Sequence, residues 1–397
     1  MTDTGTSPTP SPSPPIDVCH YVAGGAEHGG GIGRLVGYVM AAQPPGAAGR
    51  HRLRDTRGPC WRPLGSGLRL AAAAAGLLAA RVTAPGRLHH LHVAGRGSTA
   101  RKLLLCALAR RLGSRHLLHL HDYDYAADFA RRPPWQQAAV RAMFRGAEAV
   151  IVLGERDRAT AIAVLGVRPD RVHVLRNCVP DPGPPPQAAR GEAGPGLPPR
   201  PVTLLFLGRL EARKGVPELI EALASPRMAA CAAAPGWRAV LSGDGPVAAL
   251  RDEAERLGLG ERVRFTGWLD AAEVRRLCAA ADILVLPSRA EGMAMAVLEG
   301  LSHGLAVVTT RVGAHDEVLR DGETCAFVPV GDAGALADRL SRLVADAQER
   351  RRLGRAGRAL FEREFGITAY AERLRCLHAG LARPPARVPR APARDAA

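Results

Sequence analysis

Two short segments of the 397-residue chain hold charged residues spaced for work on a phosphorylated ligand. The first is GRLEARKG, residues 208–215, directly after the apolar run VTLLFL. A strand feeding such a loop would set Arg209 and Lys214 beside the N–H groups of a following helix, where a diphosphate finds cations and backbone donors together. Lysine is scarce here: 52 arginines accompany only Lys102 and Lys214. In that background a lysine marks a place where a compact ammonium fits and a guanidinium does not. The plain alternative is a solvated loop with chance charges.

The second segment is DILVLPSRAEGMAMAVLEGLSHG, residues 282–304. It reads as a buried strand ending at Pro287, a loop, and a helix starting near Gly292. Glu291 then lies at the helix start, and Glu299 eight residues later. On one helix that offset leaves the carboxylates ~80° apart around the axis and ~12 Å apart along it. An acid/base pair on one bond needs ~5–10 Å, so two contacts along one elongated ligand fit better, one at a sugar hydroxyl and one at a ribose. Free N–H groups over 292–295 would meet phosphate oxygens or sugar hydroxyls. Alternatively, Glu291 is a first-turn acid and Glu299 a surface residue.

These groups need a scaffold. Short apolar, often β-branched runs alternate with helical patterns nearly throughout, the mark of a doubly wound α/β architecture. A chain of this length outgrows one core, so two domains are expected. First-half strands are expected at 16–22, 88–93, 116–121, 149–153 and 171–175, with helices including 100–112 and 136–144. Residues 43–66, rich in Gly, Pro and Arg, give no clear assignment. The Pro/Gly run at 181–200 reads as a linker. Second-half strands are expected at 202–207, 239–242, 263–266, 283–286, 306–309 and 326–329, the first four each followed by a helix opening near Gly or Pro. Helices are expected at 348–366 and 368–382. The division is thus a disordered tail 1–15, a first Rossmann-like domain 16–180, a second 201–366, a helix 367–382 crossing back to the first domain, and a flexible tail 383–397. A cleft between two such domains sets ligands at the carboxyl ends of strands.

Bulk properties narrow the classes. The formal net charge of +16 invites a nucleic-acid partner. The charge is spread along the chain, however, and aromatics make up only 4%, so stacking platforms are scarce and no nucleic acid is expected. Anionic small substrates or an anionic membrane surface suit the balance as well. Eight cysteines form no Cys-x-x-Cys pair and suggest a reducing compartment. No signal peptide is seen. The most apolar window, 70–80, lies between Arg69 and Arg81 and is too short to span a bilayer. A soluble or peripherally attached protein is expected, in the cytoplasm or at the inner face of the cytoplasmic membrane.

Taken in order, G-R-x4-K-G after a strand, SGDGP at 242–246 and Glu-x7-Glu after LPS resemble glycosyltransferase family 4, the retaining family with the GT-B fold. The first half is similar to members that build bacterial exopolysaccharides, through HLHVAGRGSTARK at 90–102 and HLHDYDYAADF at 119–129, and RNCVP at 176–180 resembles the family's strand-end Asn-Gly-Val. The resemblance implies Arg209 and Lys214 on the diphosphate of a nucleotide-sugar donor, Glu291 on the transferred sugar and Glu299 on the ribose. It implies His121 near the reacting centre. Gly30, Gly31 and Gly33 of HGGGIGR would form a glycine loop beside donor and acceptor, and Gly243, Gly245, Leu269, Gly292, Met293, Ala294 and Met295 would complete the donor pocket. The family usually has Pro at the place of Ala294 and Ala at that of Gly300.

The implied reaction moves a hexose to a hydroxyl of a saccharide or lipid-linked saccharide. Arg209, Lys214 and a helix end would oppose the leaving charge without a cofactor or divalent cation. DYD at 122–124 has the spacing of a metal motif but follows a strand-end histidine. His89, His90 and His92 hint at a metal cluster, but His89 and His90 point to opposite faces of a strand with no acidic residue nearby, so no metal site is expected there. Asp122 and Asp124 could contact the acceptor or cap the next segment. A silent nucleotide-sugar-binding protein using the same cleft is the alternative function.

Overall fold

The strands of the second half are almost unbroken apolar runs, VTLLFL, ILVL and AVVTT among them, as a parallel sheet covered on both faces requires. The computed structural model describes residues 16–43, 51–183, 200–232 and 236–382. The tails 1–15 and 383–397 and most of the linker, 184–199, lie outside the described residues.

The first sheet holds β1 (Val18–Val22), β2 (His51–Asp55), β3 (Leu88–Val93), β4 (His116–Leu120), β5 (Ala149–Val152) and β6 (Val172–Val174). The second holds β7 (Val202–Leu207), β8 (Trp237–Ser242), β9 (Val263–Gly267), β10 (Ile283–Leu286), β11 (Ala306–Thr310) and β12 (Ala326–Val328). Their orders are β2-β1-β3-β4-β5-β6 and β12-β11-β10-β7-β8-β9, all pairs parallel. This is the expected GT-B architecture: two Rossmann-like α/β domains facing across a cleft.

The strand ends move by a residue or two from the expected positions, and one strand is new. β2, HRLRD, falls in the unassigned stretch; it is an edge strand bonded to β1 alone, half of it at the surface, so it carries no apolar run. The expected strand 171–175 is shorter because Pro169–Arg171 forms a 3-10 turn. The helix after β9 opens on a capping box of Asp270 and Glu273, with no Gly or Pro. The apolar window at 70–80 is the middle of a longer helix, Pro63–Thr83, of 21 residues. Residues 63–68 lengthen it beyond Arg69, and with Arg69 and Arg81 its only charges it could, by length and composition, cross a membrane. It packs against β2 and the following helix, burying Ser66, Ala73, Leu77 and Ala80, with Leu70 and Ala74 partly buried.

One apolar core runs from the second sheet into the inner layer of the first through Leu153, Cys178 and Val179. The last helix, Ile367–Ala382, adds Tyr370 and Leu374 to it and packs on the helix Gly30–Ala41 of the first domain.

Candidate active site

The donor end of the cleft is shaped by one close approach. Gly215 sits at φ +73°, and a Cβ there would stand 2.1 Å from the Pro287 carbonyl oxygen. Only glycine lets the loop after β7 press against the end of β10. That contact delivers Lys214 to Glu291: Nζ donates to Oε1 at 2.5 Å, and the Ser288 hydroxyl donates to the same oxygen at 2.7 Å. Burial would raise the Glu291 carboxyl, but the Lys214 ammonium and these hydrogen bonds prevail and hold it below the usual carboxylate range. Arg213 donates to the Ala290 carbonyl and Glu211, and stacks 4.8 Å from the Tyr123 ring of the first domain. Arg209 is 71% exposed at the cleft, with Glu211 at 3.8 Å. Its guanidinium is placed to meet a ligand.

The helix expected from Gly292 begins instead at Met295, so Glu291 lies in the preceding loop and the separation worked for one helix does not apply. The cause is the competing use of the backbone. Gly292 O accepts from Ala314 N, Ala294 N donates to His315 Nε2, and the Thr310 hydroxyl donates to Ser288 O. The Ala294 amide is therefore committed to His315 and does not face phosphate. Helix geometry leaves the first-turn amides at 295–297 without intrahelical acceptors.

Glu299 is a buried residue of that helix, not a surface one. Its Oε1 accepts from Arg34 Nη1 at 2.8 Å across the domain boundary, while Oε2 is buried with no partner. Burial raises the Glu299 carboxyl, and Arg34 only partly opposes it. An unsatisfied oxygen in the cleft wall is an acceptor prepared for ligand hydroxyls.

The facing wall comes from the first domain. Gly29–Gly31 open the first helix, and His121 stands just past β4, its Nε2 meeting His92 Nδ1 at 3.0 Å. Burial lowers the His121 pKa to about 3, so the imidazole is neutral at physiological pH. Asp122 is a brace: its oxygens accept from the Gly95 and Asp124 amides at 2.6 and 2.8 Å. These bonds brace the loop ahead of the next helix, whose N-cap is Asp124, and commit half of the DYD spacing to the backbone.

The cleft encloses about 1020 Å³. It gathers His121, Arg209, Lys214, Glu291 and Glu299 with Gly31, Gly243, Leu269, Gly292, Met293, Ala294 and Met295. Gly33 and Gly245 do not line it. A Cβ on Gly33 would meet Gly25 O at 2.3 Å and one on Gly245 would meet Leu210 Cβ and O at 2.6 Å, so both serve chain packing. Sequence reasoning missed Arg34, Arg213, Ser288 and Asn177, whose amide donates to Met293 O from the other domain at 2.8 Å. Arg34 closes the HGGGIGR motif, and that adjacency was its one signal. The cleft can hold an elongated anion along Lys214 and Arg209, with hydroxyl acceptors at both glutamates.

Residues 19–178 match the family model described as Glycosyl transferase 4-like domain, and 201–346 match Glycosyl transferases group 1. The chain therefore belongs to the GT-B glycosyltransferases of the family 4 type, which take sugar from a nucleotide-sugar donor. Among curated proteins it is similar to alpha-D-kanosaminyltransferase of Streptomyces kanamyceticus, 29% identical over 72% of this chain and 75% of that one. It is also similar to the GDP-mannose-dependent alpha-(1-6)-phosphatidylinositol monomannoside mannosyltransferase of Mycolicibacterium smegmatis, 29% identical over 68% of this chain and 72% of the other. Among solved structures, Anabaena HepE in complex with UDP and glucose superposes with a TM-score of 0.69 at 19% identity, covering 91% of this chain and 99% of its own.

Proposed function

We propose that this enzyme is a retaining hexosyltransferase that needs no divalent cation at the donor pyrophosphate and builds a polysaccharide or glycolipid. The carrying observation is the meeting of Lys214 and Glu291 at 2.5 Å beside the open helix end at Met295. As the anomeric bond breaks, negative charge grows on the leaving phosphate. Lys214, Arg209 and the first-turn amides oppose that charge from fixed positions. Glu291 holds a hydroxyl of the transferred sugar, Glu299 the ribose, and neutral His121 stands near the acceptor.

The reading places the enzyme in the cytoplasm against the inner face of the membrane. Its eight cysteines are all free, in keeping with a reducing compartment. The helix Pro63–Thr83 exposes Leu64, Leu68, Leu78 and Val82, flanked by Arg62, Arg69 and Arg81. Apolar side chains ringed by cations suit an anionic bilayer surface. Pro59–Trp61, which leads into that helix, lines the cleft, so a lipid-linked acceptor has a short route in.

The test incubates the protein with UDP-, GDP- and ADP-sugars plus chelator, measuring nucleotide release and the anomeric configuration of the product by NMR. Release from one donor with an α-linked product from an α-linked sugar is expected. A β-linked product overturns retention, dependence on added Mg²⁺ overturns metal independence, and binding without release favours a silent sensor.

A further inference from the structure

The histidines of the first domain are scattered in sequence, yet strand pairing collects them. His20 on β1, His51 on β2, His90 and His92 on β3, His119 on β4 and His121 just beyond it share one face of the sheet, and His378 of the last helix packs over them. His89 points the other way, to the Tyr21 hydroxyl. Hydrogen bonds link the rings in a row: His51 to His20 at 3.0 Å, His20 to His92 at 3.1 Å and His92 to His121 at 3.0 Å.

We propose that His92, His119 and His121 form a binding site for one borderline divalent transition cation, Zn²⁺ being the type, in the cleft wall. One ring nitrogen of each lies within 4.8 Å of the other two. The 3.0 Å between His92 Nδ1 and His121 Nε2 is a span that an ion with ~2.0–2.1 Å bonds can bridge with a small opening. The second observation is His119: it is fully buried, and neither Nδ1 nor Nε2 has a hydrogen-bond partner. A buried imidazole with both nitrogens idle is costly unless something else uses one.

His20, His90 and His92 form a neighbouring trio. There His20 is engaged at both nitrogens, by His51 and His92, and His90 has one unpartnered nitrogen where His119 has two. The chosen trio also has an entry path, because His121 lines the cleft. His92 has its outer support in place, since Nε2 meets His20 Nδ1 and fixes the ring with Nδ1 toward the ion. The all-imidazole set selects Zn²⁺, Cu²⁺, Ni²⁺ or Co²⁺ over Mg²⁺ or Ca²⁺, which want oxygen.

Metal-stripped, tag-free protein titrated with Co²⁺ should develop visible d–d bands saturating near one equivalent. Zn²⁺ should abolish them and Mg²⁺ should not. His119→Leu should weaken Co²⁺ binding at least ~100-fold, beyond the ~10–100-fold of an outer-shell loss, while His90→Leu keeps it. Circular dichroism checks folding, and His121→Ala replaces His119→Leu should the latter not fold. Cu²⁺ bound to the unmodified chain should show hyperfine splitting from three nitrogens. Absence of bound Co²⁺, equal binding by His119→Leu and native protein, loss with His90→Leu alone, or fewer than three nitrogens on Cu²⁺ would overturn the assignment.

Discussion

Lys214→Met separates the two tasks the structure gives this lysine. Methionine keeps most of the stem's volume and removes the ammonium. The side chains of Lys214 and Glu291 are 15% and 8% exposed, so the change leaves a nearly buried carboxylate with Ser288 as its remaining hydrogen-bond donor and only the Arg213 guanidinium, 3.9 Å away, as a counter-charge. Breaking a buried pair in this way costs about 3–5 kcal/mol of stability. Adding Glu291→Gln replaces the stranded charge with a neutral amide of the same shape and should restore most of that loss. Turnover behaves differently. If the ammonium stabilises the leaving phosphate, Lys214→Met loses ~10²–10³ in kcat, and the double variant stays at least as slow. Urea melts at pH 7.5 beside nucleotide-release assays read both quantities. Recovery of turnover together with stability in the double variant would refute the reasoning, because Lys214 would then be only a counter-ion for Glu291.

The histidine face predicts acid lability of the metal-free protein. His20, His90, His92, His119, His121 and His378 all titrate below their ordinary value, chiefly through burial. Their folded-state pKa is depressed, so the unfolded chain takes up these protons first, from pH ~6.5 downward. Six sites at ~1.4 kcal/mol per pH unit remove up to ~8 kcal/mol per unit, against a total stability of ~5–15 kcal/mol. Melting curves should therefore collapse between pH ~6.5 and ~5; a flat profile there would contradict neutral, buried rings. Gly33→Ala should cost ~1–3 kcal/mol or more in melts, because its Cβ meets Gly25 O at 2.3 Å. Gly31→Ala meets only Met295 Cγ at 3.4 Å, so it should fold normally yet slow turnover by narrowing the cleft. Glu299→Gln should raise the donor KM ~10-fold with kcat nearly held, the mark of a lost charged hydrogen bond to the ribose, as steady-state kinetics would read.

The fold was legible because parallel strands buried on both faces must be apolar runs, and β7, β10 and β11 are. β2 was hidden because an edge strand needs little apolar content. Lys214 stood out by rarity, but so did Lys102, which is wholly buried with its ammonium on the Thr56 hydroxyl and its pKa lowered, mainly by burial, to about 7. Rarity marked two closed places for an ammonium, and only the loop motif told them apart. The helix start at Met295 was unreadable locally, since the competing donors and acceptors lie at 310–315. The Arg34–Glu299 pair joins residues 265 apart, and the histidine face depends on strand order. Neither leaves a trace in spacing.

The central claim is that the donor pyrophosphate rests between Lys214, Arg209 and the helix opening at Met295. A crystal structure with the nucleoside diphosphate released by the preferred donor tests it most directly. The account predicts phosphate oxygens within hydrogen-bond reach of Lys214 Nζ, the Arg209 guanidinium and the amides at 295–297. A diphosphate seated elsewhere in the cleft, with the Lys214–Glu291 contact undisturbed and Arg209 still turned to solvent, would contradict it.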